Sequence, residues 1–444
     1  MTTTTARRTG TPASASVSAR PRDVSGPRGA ARPFPSALFF MTLLAITSRG
    51  LFELVLGKTV GYAIQAGAVA LFAAVLVVRH RARPTPHFAT MLGLWWLLVV
   101  ASLLSVWASA QPGRVAGAAI YAVVMVFLAG LMVLLGGLTY EFGPGRGPGP
   151  ALVTCAAIMV VVALMQQFGG LTVFPGTDFG TLRTQARPPA MTGSFLHYPI
   201  ALGLMSFVLL GIHAVQRRRL YLVAAVVSMV AVLVSYSRSG MVLVLAGLAI
   251  GVLLSRSFSL VARALVAGGA LAVAFLVAAP TDTYLQRFLS IFSPDGAGNA
   301  GRIDAWQTLL DLWSRSPLLI GSHAGEYTNI TSNLAPGGAV ASPESGVLQV
   351  LVSLGLLGAL AYYGLMAVTT WATPGEVPWF RAGLLAAIVQ SLIYQSVEVL
   401  PFMALFALTP LLARTARTPP TESVQDPQRL ADVSDRPSTR KGHP

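Results

Sequence analysis

The sequence predicts an all-α integral membrane protein with about twelve transmembrane helices. Of 444 residues, 54% are hydrophobic and 11% are charged, against about 25% charged in soluble domains. The mean hydropathy is +0.67. Apolar stretches of about twenty residues recur along most of the chain, each long enough at about 1.5 Å per residue to cross a hydrocarbon core of roughly 30 Å. A soluble enzyme is excluded. The single cysteine, Cys155, leaves no disulfide framework and no cysteine-based zinc or iron–sulfur site, and the six histidines are scattered, so no metal or cofactor is expected. The net charge of +15 would point to nucleic acid in a soluble chain. Here the arginines stand in short loops and tails between apolar stretches, so topology accounts for them and no nucleic-acid partner is expected.

Residues 1–35 are rich in Thr, Ser, Ala, Pro and Arg and carry almost nothing large and apolar, which predicts a disordered basic tail. Arg7 and Arg8 are too far from an apolar segment, and lack a small-residue cleavage site, for a twin-arginine signal. The membrane domain runs over 36–412, with spans centred near 43, 69, 99, 126, 159, 202, 228, 247, 271, 357, 388 and 406. Residues 413–444, polar and proline-rich from about Pro419, form a second tail. With the N-terminus inside and sides alternating, 22 of the 31 Lys and Arg fall inside and nine outside, so both termini are expected in the cytoplasm of a bacterial cell. The outside nine run against that tendency, and most fall in or beside the segments 168–190 and 280–343. The second, between spans 9 and 10, holds a helical pattern at Ile303, Trp306, Leu309, Leu310 and Trp313. No internal repeat, phosphate-binding loop or dinucleotide fingerprint is present, and Gly143–Pro150 reads as a flexible turn.

Within these segments a few residues have the chemistry for a site. Arg238 lies in Ser235-Tyr236-Ser237-Arg238-Ser239-Gly240, a polar break between two apolar helices; it is either an arginine reaching the headgroups or, with three hydroxyls beside it, a phosphate ligand. Arg302 precedes a helix, where an arginine is electrostatically misplaced unless it serves an anion or an acid such as Asp304. Trp306, one turn on, is either packing or a saccharide platform. His323, between Gly321 and Gly325, is either incidental or a base. Glu344 starts the helix after the long loop; it either caps that helix or takes a proton from a sugar hydroxyl, aided by desolvation.

In combination these segments resemble the O-antigen ligase and polymerase superfamily of bacterial membrane glycosyltransferases, over roughly residues 36–412 and most strongly from Gly193 to Gly358. The resemblance rests on Gly193-Ser194-Phe195-Leu196-His197-Tyr198-Pro199, then Tyr236-Ser237-Arg238-Ser239-Gly240, then Gly301-Arg302 with Trp306, Pro317 and Gly321, and last Glu344-Ser345 with Leu348, Gly355 and Gly358. It implies a GT-C-like helical fold and a metal-independent transferase whose donor is a glycan linked through diphosphate to a polyprenyl lipid. It further implies that Arg238 and Arg302 hold the diphosphate; Arg187, His197, Trp306, His323 and Tyr327 are expected to bind substrate, with Tyr284, Trp306, Trp313 and Tyr327 along the glycan path. Ligases of the family carry a histidine where this chain has Glu344. That departure favours a polymerase of repeat units on the outer face of the cytoplasmic membrane, acting on a glycan acceptor beside other polysaccharide-assembly membrane proteins. A ligase is the alternative within the family. A lipid-linked sugar transporter or flippase is the alternative outside it, opposed by the lack of acids within the spans other than Glu53 and Glu398 near span ends.

Overall fold

The computed structural model describes residues 32–109, 114–143, 147–171, 187–235, 237–255, 300–328, 330 and 344–417. The two tails beyond these limits, the expected span near 271, Tyr236, Tyr284 and much of the 280–343 segment lie outside the described residues.

The described chain is a bundle of α-helices with one small hairpin. It begins with α1 (Ser36–Thr47), α2 (Arg49–Leu56) and α3 (Lys58–Arg79), then β1 (Ala82–Pro84), α4 (Phe88–Ala108), α5 (Val115–Gly137) and β2 (Leu138–Tyr140). It continues through α6 (Gly149–Phe168), α7 (His197–Gln216), α8 (Arg219–Val234) and α9 (Arg238–Ser255). It ends with α10 (Ala300–Arg315), α11 (Gly346–Ala372), α12 (Pro378–Ile393) and α13 (Leu400–Arg417). Seven of these helices are long and apolar enough to cross a membrane, and the α1–α2 pair, bent by 65°, makes an eighth if it is one span. Helices α8 and α12 are apolar but shorter. The sequence places a single span near residue 43; the structure instead breaks it at Ser48.

Close packing fixes the arrangement. Helix α7 is apolar all round and buried on nearly every residue, as a central helix must be. A Cβ at Gly203 would sit 2.8 Å from Leu243, and one at Gly247 2.2 Å from the Phe207 ring, so α7 and α9 run side by side in the same direction. Gly211 and Gly251 face Phe380 and Trp379 at the start of α12, which therefore runs the other way. Small residues serve here because lipid supplies no hydrophobic force between helices, and close backbone approach takes its place.

The helix ends thereby gather at two ends of the bundle. At one, β1 pairs antiparallel with β2, Ala82 opposite Tyr140 and Pro84 opposite Leu138. Arg83 pairs with Glu141 there at 2.7 Å. Arg414 of α13 donates to the carbonyls of Leu138 (2.8 Å), Gly136 (2.7 Å) and Ala372 (3.0 Å), tying the ends of α5 and α11 to the last helix. At the other end lie the starts of α7, α9, α10 and α11, with the candidate site residues.

Candidate functional site

Helix α11 organises the site end. Ser345 is its N-cap, the side chain accepting from the Leu348 backbone N–H at 3.4 Å. Glu344, one residue before, has φ +44°, a left-handed conformation that costs a non-glycine residue about 1–2 kcal/mol. Outliers of this kind concentrate at functional positions. Glu344 therefore sits just outside the cap, and its carboxylate accepts from Nε of Arg302 in an ion pair across 42 residues of sequence. Asp304, the acid expected from the sequence as a possible partner, does not take that place.

Arg302 lies in the first turn of α10, whose expected helical pattern is observed over Ala300–Arg315 with Leu309 as its buried contact. Burial, then the like charge of Arg238, pulls its guanidinium below its ordinary proton affinity, with Tyr394 acting in the opposite sense. Arg238 and Arg302 thus lie within electrostatic reach of one another, although they belong to different helices. Arg238 is the first residue of α9. Its hydroxyl neighbours are otherwise engaged. Ser235 donates to the Val232 carbonyl at 2.6 Å, and Ser237 accepts from the Gly240 N–H at 3.3 Å while pairing with Ser239 at 3.0 Å. These serines finish α8 and start α9, where unpaired backbone groups have to be met.

His323 and Tyr327 form a second group on the loop after α10. Nδ1 of His323 lies 3.2 Å from Oε2 of Glu326, and Oε1 of Glu326 lies 3.0 Å from Arg114 at the start of α5. The ring of Tyr327 meets that of His323 edge-on at 6.1 Å. Burial and the charge of Glu326 raise the proton affinity of the Tyr327 phenol, opposed by Arg114, so it stays neutral. The loop reaches this place because Gly325 (φ +78°) packs on the backbone of Gly117, where a Cβ would sit 2.5 Å away. The segment between α12 and α13 joins the two groups: the Tyr394 carbonyl accepts from the Gly346 N–H at 3.2 Å. Gln395 donates to the carbonyl of Tyr327 at 3.0 Å and to Glu398 at 3.2 Å.

The other expected ligands at this end make contacts of their own. His197 is buried at the start of α7, its Nδ1 accepting from Arg49 at 2.7 Å. Arginine is a permanent donor, so this contact fixes His197 as a neutral ring with its proton on Nε2. Arg49 also binds Glu53 at 2.6 Å and stacks on Tyr62 at 4.4 Å, closing the break between α1 and α2. Arg187 lies over the ring of Phe195 at 5.0 Å, and its Nε is buried without a hydrogen-bond partner among the described residues. Trp306 is half-buried on α10, one turn beyond Arg302. The sequence reading missed Arg49, Arg114 and Glu326 as site residues. The signal was available, since both arginines belong to the nine that oppose the charge bias, and Glu326 is one of only 16 acids.

A family model described as O-antigen ligase matches residues 223–363. Over that stretch the chain is similar to the O-antigen ligase family, which supports the O-antigen ligase and polymerase superfamily. No match is found among curated proteins. The matched stretch runs from α8 into α11 and includes Arg238, Arg302, His323, Glu326, Tyr327 and Glu344, the residues of the two groups apart from Arg114 and the α12–α13 segment. The match supports glycan transfer of the O-antigen ligase type in general, the kind of reaction that uses lipid-linked glycans in a membrane environment.

Proposed function

We propose that the protein polymerises polyprenyl-diphosphate-linked oligosaccharide repeat units at the outer face of the bacterial cytoplasmic membrane. The observation that carries this reading is the approach of Arg238 and Arg302 from separate helices, with Arg302 held by Glu344. Two guanidinium groups near one another repel unless an anion lies between them, and a guanidinium fork fits phosphate oxygens in two-pronged fashion. A diphosphate is the anion of matching charge. On arrival it competes with Glu344 for Arg302 and releases the carboxylate toward the reacting sugar.

Breaking the bond between the anomeric carbon and the diphosphate places negative charge on the departing oxygen and positive charge on the carbon. Arg238 and Arg302 stabilise the first and the freed Glu344 the second, both more strongly in the transition state than in the ground state. The arginines supply positive charge that a divalent metal would otherwise provide. Orientation follows from the arginine bias, which puts the β1–β2 end in the cytoplasm and the site end outside. Glu344 in place of the ligases' histidine favours repeat-unit polymerisation over transfer to an unrelated acceptor.

The test uses purified protein in nanodiscs with a polyprenyl-diphosphate oligosaccharide, followed by gel and mass spectrometry. A ladder spaced by one repeat unit is expected. Transfer only to an added lipid or protein acceptor would identify a ligase instead, and movement of the lipid-linked sugar across the bilayer without any new bond would identify a transporter.

A further inference from the structure

We propose that His323, held by Glu326 and Arg114, takes the proton from the acceptor hydroxyl. The proposal rests on the transfer reading above and fills the role it leaves open, since that reading assigns the freed Glu344 to the positive charge at the anomeric carbon.

With a carboxylate oxygen 3.2 Å from Nδ1, that nitrogen carries the ring proton and Nε2 presents a lone pair. When Nε2 takes up a proton, the Glu326 charge stabilises the resulting imidazolium, while Arg114 favours the charged carboxylate. A carboxylate behind one ring nitrogen and an open lone pair on the other is the arrangement of a general base. The His323 and Glu326 side chains are 18% and 13% exposed, so the pair is sheltered from bulk water yet reachable. Among the described residues, the segment between α12 and α13 meets the ring's loop through Gln395, which also binds Glu398. Helix α11 offers the Val352 carbonyl to the His323 backbone N–H, and Ser109 at the end of α4 accepts from the Ala324 N–H. Helix α5 contributes Arg114, and the loop itself contributes Glu326 and Tyr327.

The position suits the reaction. Val352 lies on the order of 9 Å along α11 from Gly346, so the His323 backbone, which bonds to its carbonyl, stands roughly that far along the helix from its Glu344–Ser345 start. A displacement in line needs a similar spread, on the order of 10 Å, between the base and the guanidinium that receives the leaving group, with successive contacts of about 3 Å between. In the step, the acceptor oxygen forms the new bond to the anomeric carbon and its proton passes to Nε2. The bond to the diphosphate breaks with its electron pair on the departing oxygen, and the imidazolium later returns its proton to water.

The experiment measures initial transfer rate at saturating substrate from about pH 5 to pH 9 with full-length protein in nanodiscs. Wild-type protein is compared with His323→Gln, Glu326→Gln, Glu326→Ala and Glu344→Gln. The wild-type rate is expected to fall toward the acid end of this range, where protonation removes the base. His323→Gln loses on the order of 10²–10⁴ in rate and loses that acid limb. Glu326→Gln keeps the limb and retains more of the rate than His323→Gln, because its amide oxygen can still accept from Nδ1 and orient the ring, whereas Glu326→Ala loses that orientation. Glu344→Gln slows the reaction without moving the limb. An acid limb that persists in His323→Gln, or that disappears in Glu344→Gln instead, overturns the proposal. Absence of product from wild-type protein overturns the transfer reading, and this assignment with it.

Discussion

Arg302 stands in the first turn of α10, where a helix macrodipole disfavours positive charge, and Glu344 compensates it from the next helix in space. The pair explains why a strained φ of +44° is kept at residue 344. Replacing Arg302 or Arg238 by Lys keeps the charge but removes the planar fork, and each variant is expected to lose at least about 10²-fold in transfer rate while its membrane content, read by immunoblot, stays at the wild-type level. Full activity in both would sink the diphosphate assignment. Ser345→Ala removes a helix cap worth about 1 kcal/mol and should lower the melting temperature by a few degrees with little effect on catalysis. At this scale the sequence was informative where a residue broke a rule. Arg238, Arg302 and Glu344 stand out as charges at apolar boundaries. The partnership of His323 with Glu326 was equally near at hand, three residues apart, but its meaning depends on Arg114, more than two hundred residues earlier, and no local pattern reports such a pairing. The ion pair of Glu344 with Arg302, 42 positions earlier, is hidden from the sequence for the same reason.

Helices are legible because hydropathy is local, and their irregularities are hidden because hydropathy continues through them. The α1–α2 break lies inside what reads as one apolar span, and only Arg49, with its contacts to Glu53, His197 and Tyr62, shows that the chain turns there. Gly355 is a sharper case. It interrupts α11 with φ +67° and ψ −171° amid an unbroken apolar run. The kink lets Leu356 and Leu357 donate to the carbonyls of Leu318 and Leu319 at 2.9 and 3.0 Å, which anchors the His323 loop to the helix. A Cβ at Gly355 would sit 2.4 Å from the backbone of Leu319 and Ile320. Gly355→Ala should therefore destabilise by more than the 1–2 kcal/mol of the dihedral alone, and activity should fall further than stability does. A variant with normal melting and normal rate would show that the loop does not depend on the kink.

For the whole molecule, the charge bias makes a prediction about sidedness that the helix packing frames but does not assign. The β1–β2 end and the site end are opposite by construction, so one labelled position at each suffices. Cys155 is buried in α6 and the sole cysteine, which leaves a silent background. In intact cells an impermeant maleimide is expected to modify Ser322→Cys and to spare Arg81→Cys, an exposed position beside β1, until the membrane is permeabilised. The reverse pattern would invert the orientation and place the candidate site in the cytoplasm. Long-range features of this kind are beyond a sequence pattern for a simple reason: helices α7, α9 and α12 meet through glycines and aromatic rings whose partners are spread over nearly two hundred positions.

Arg414 adds a consequence for biogenesis. The carbonyls it satisfies belong to the ends of α5 and α11, yet the residue itself is among the last described in the chain. Until the ribosome has delivered it, those backbone groups have no such donor, and unsatisfied carbonyls are costly in or near lipid. This end of the bundle can therefore be fastened only after α13 has been made and inserted. A nonsense mutation upstream of Arg414 should yield a polypeptide that integrates but turns over rapidly in a pulse–chase, whereas one just after Arg417 keeps this fastening intact.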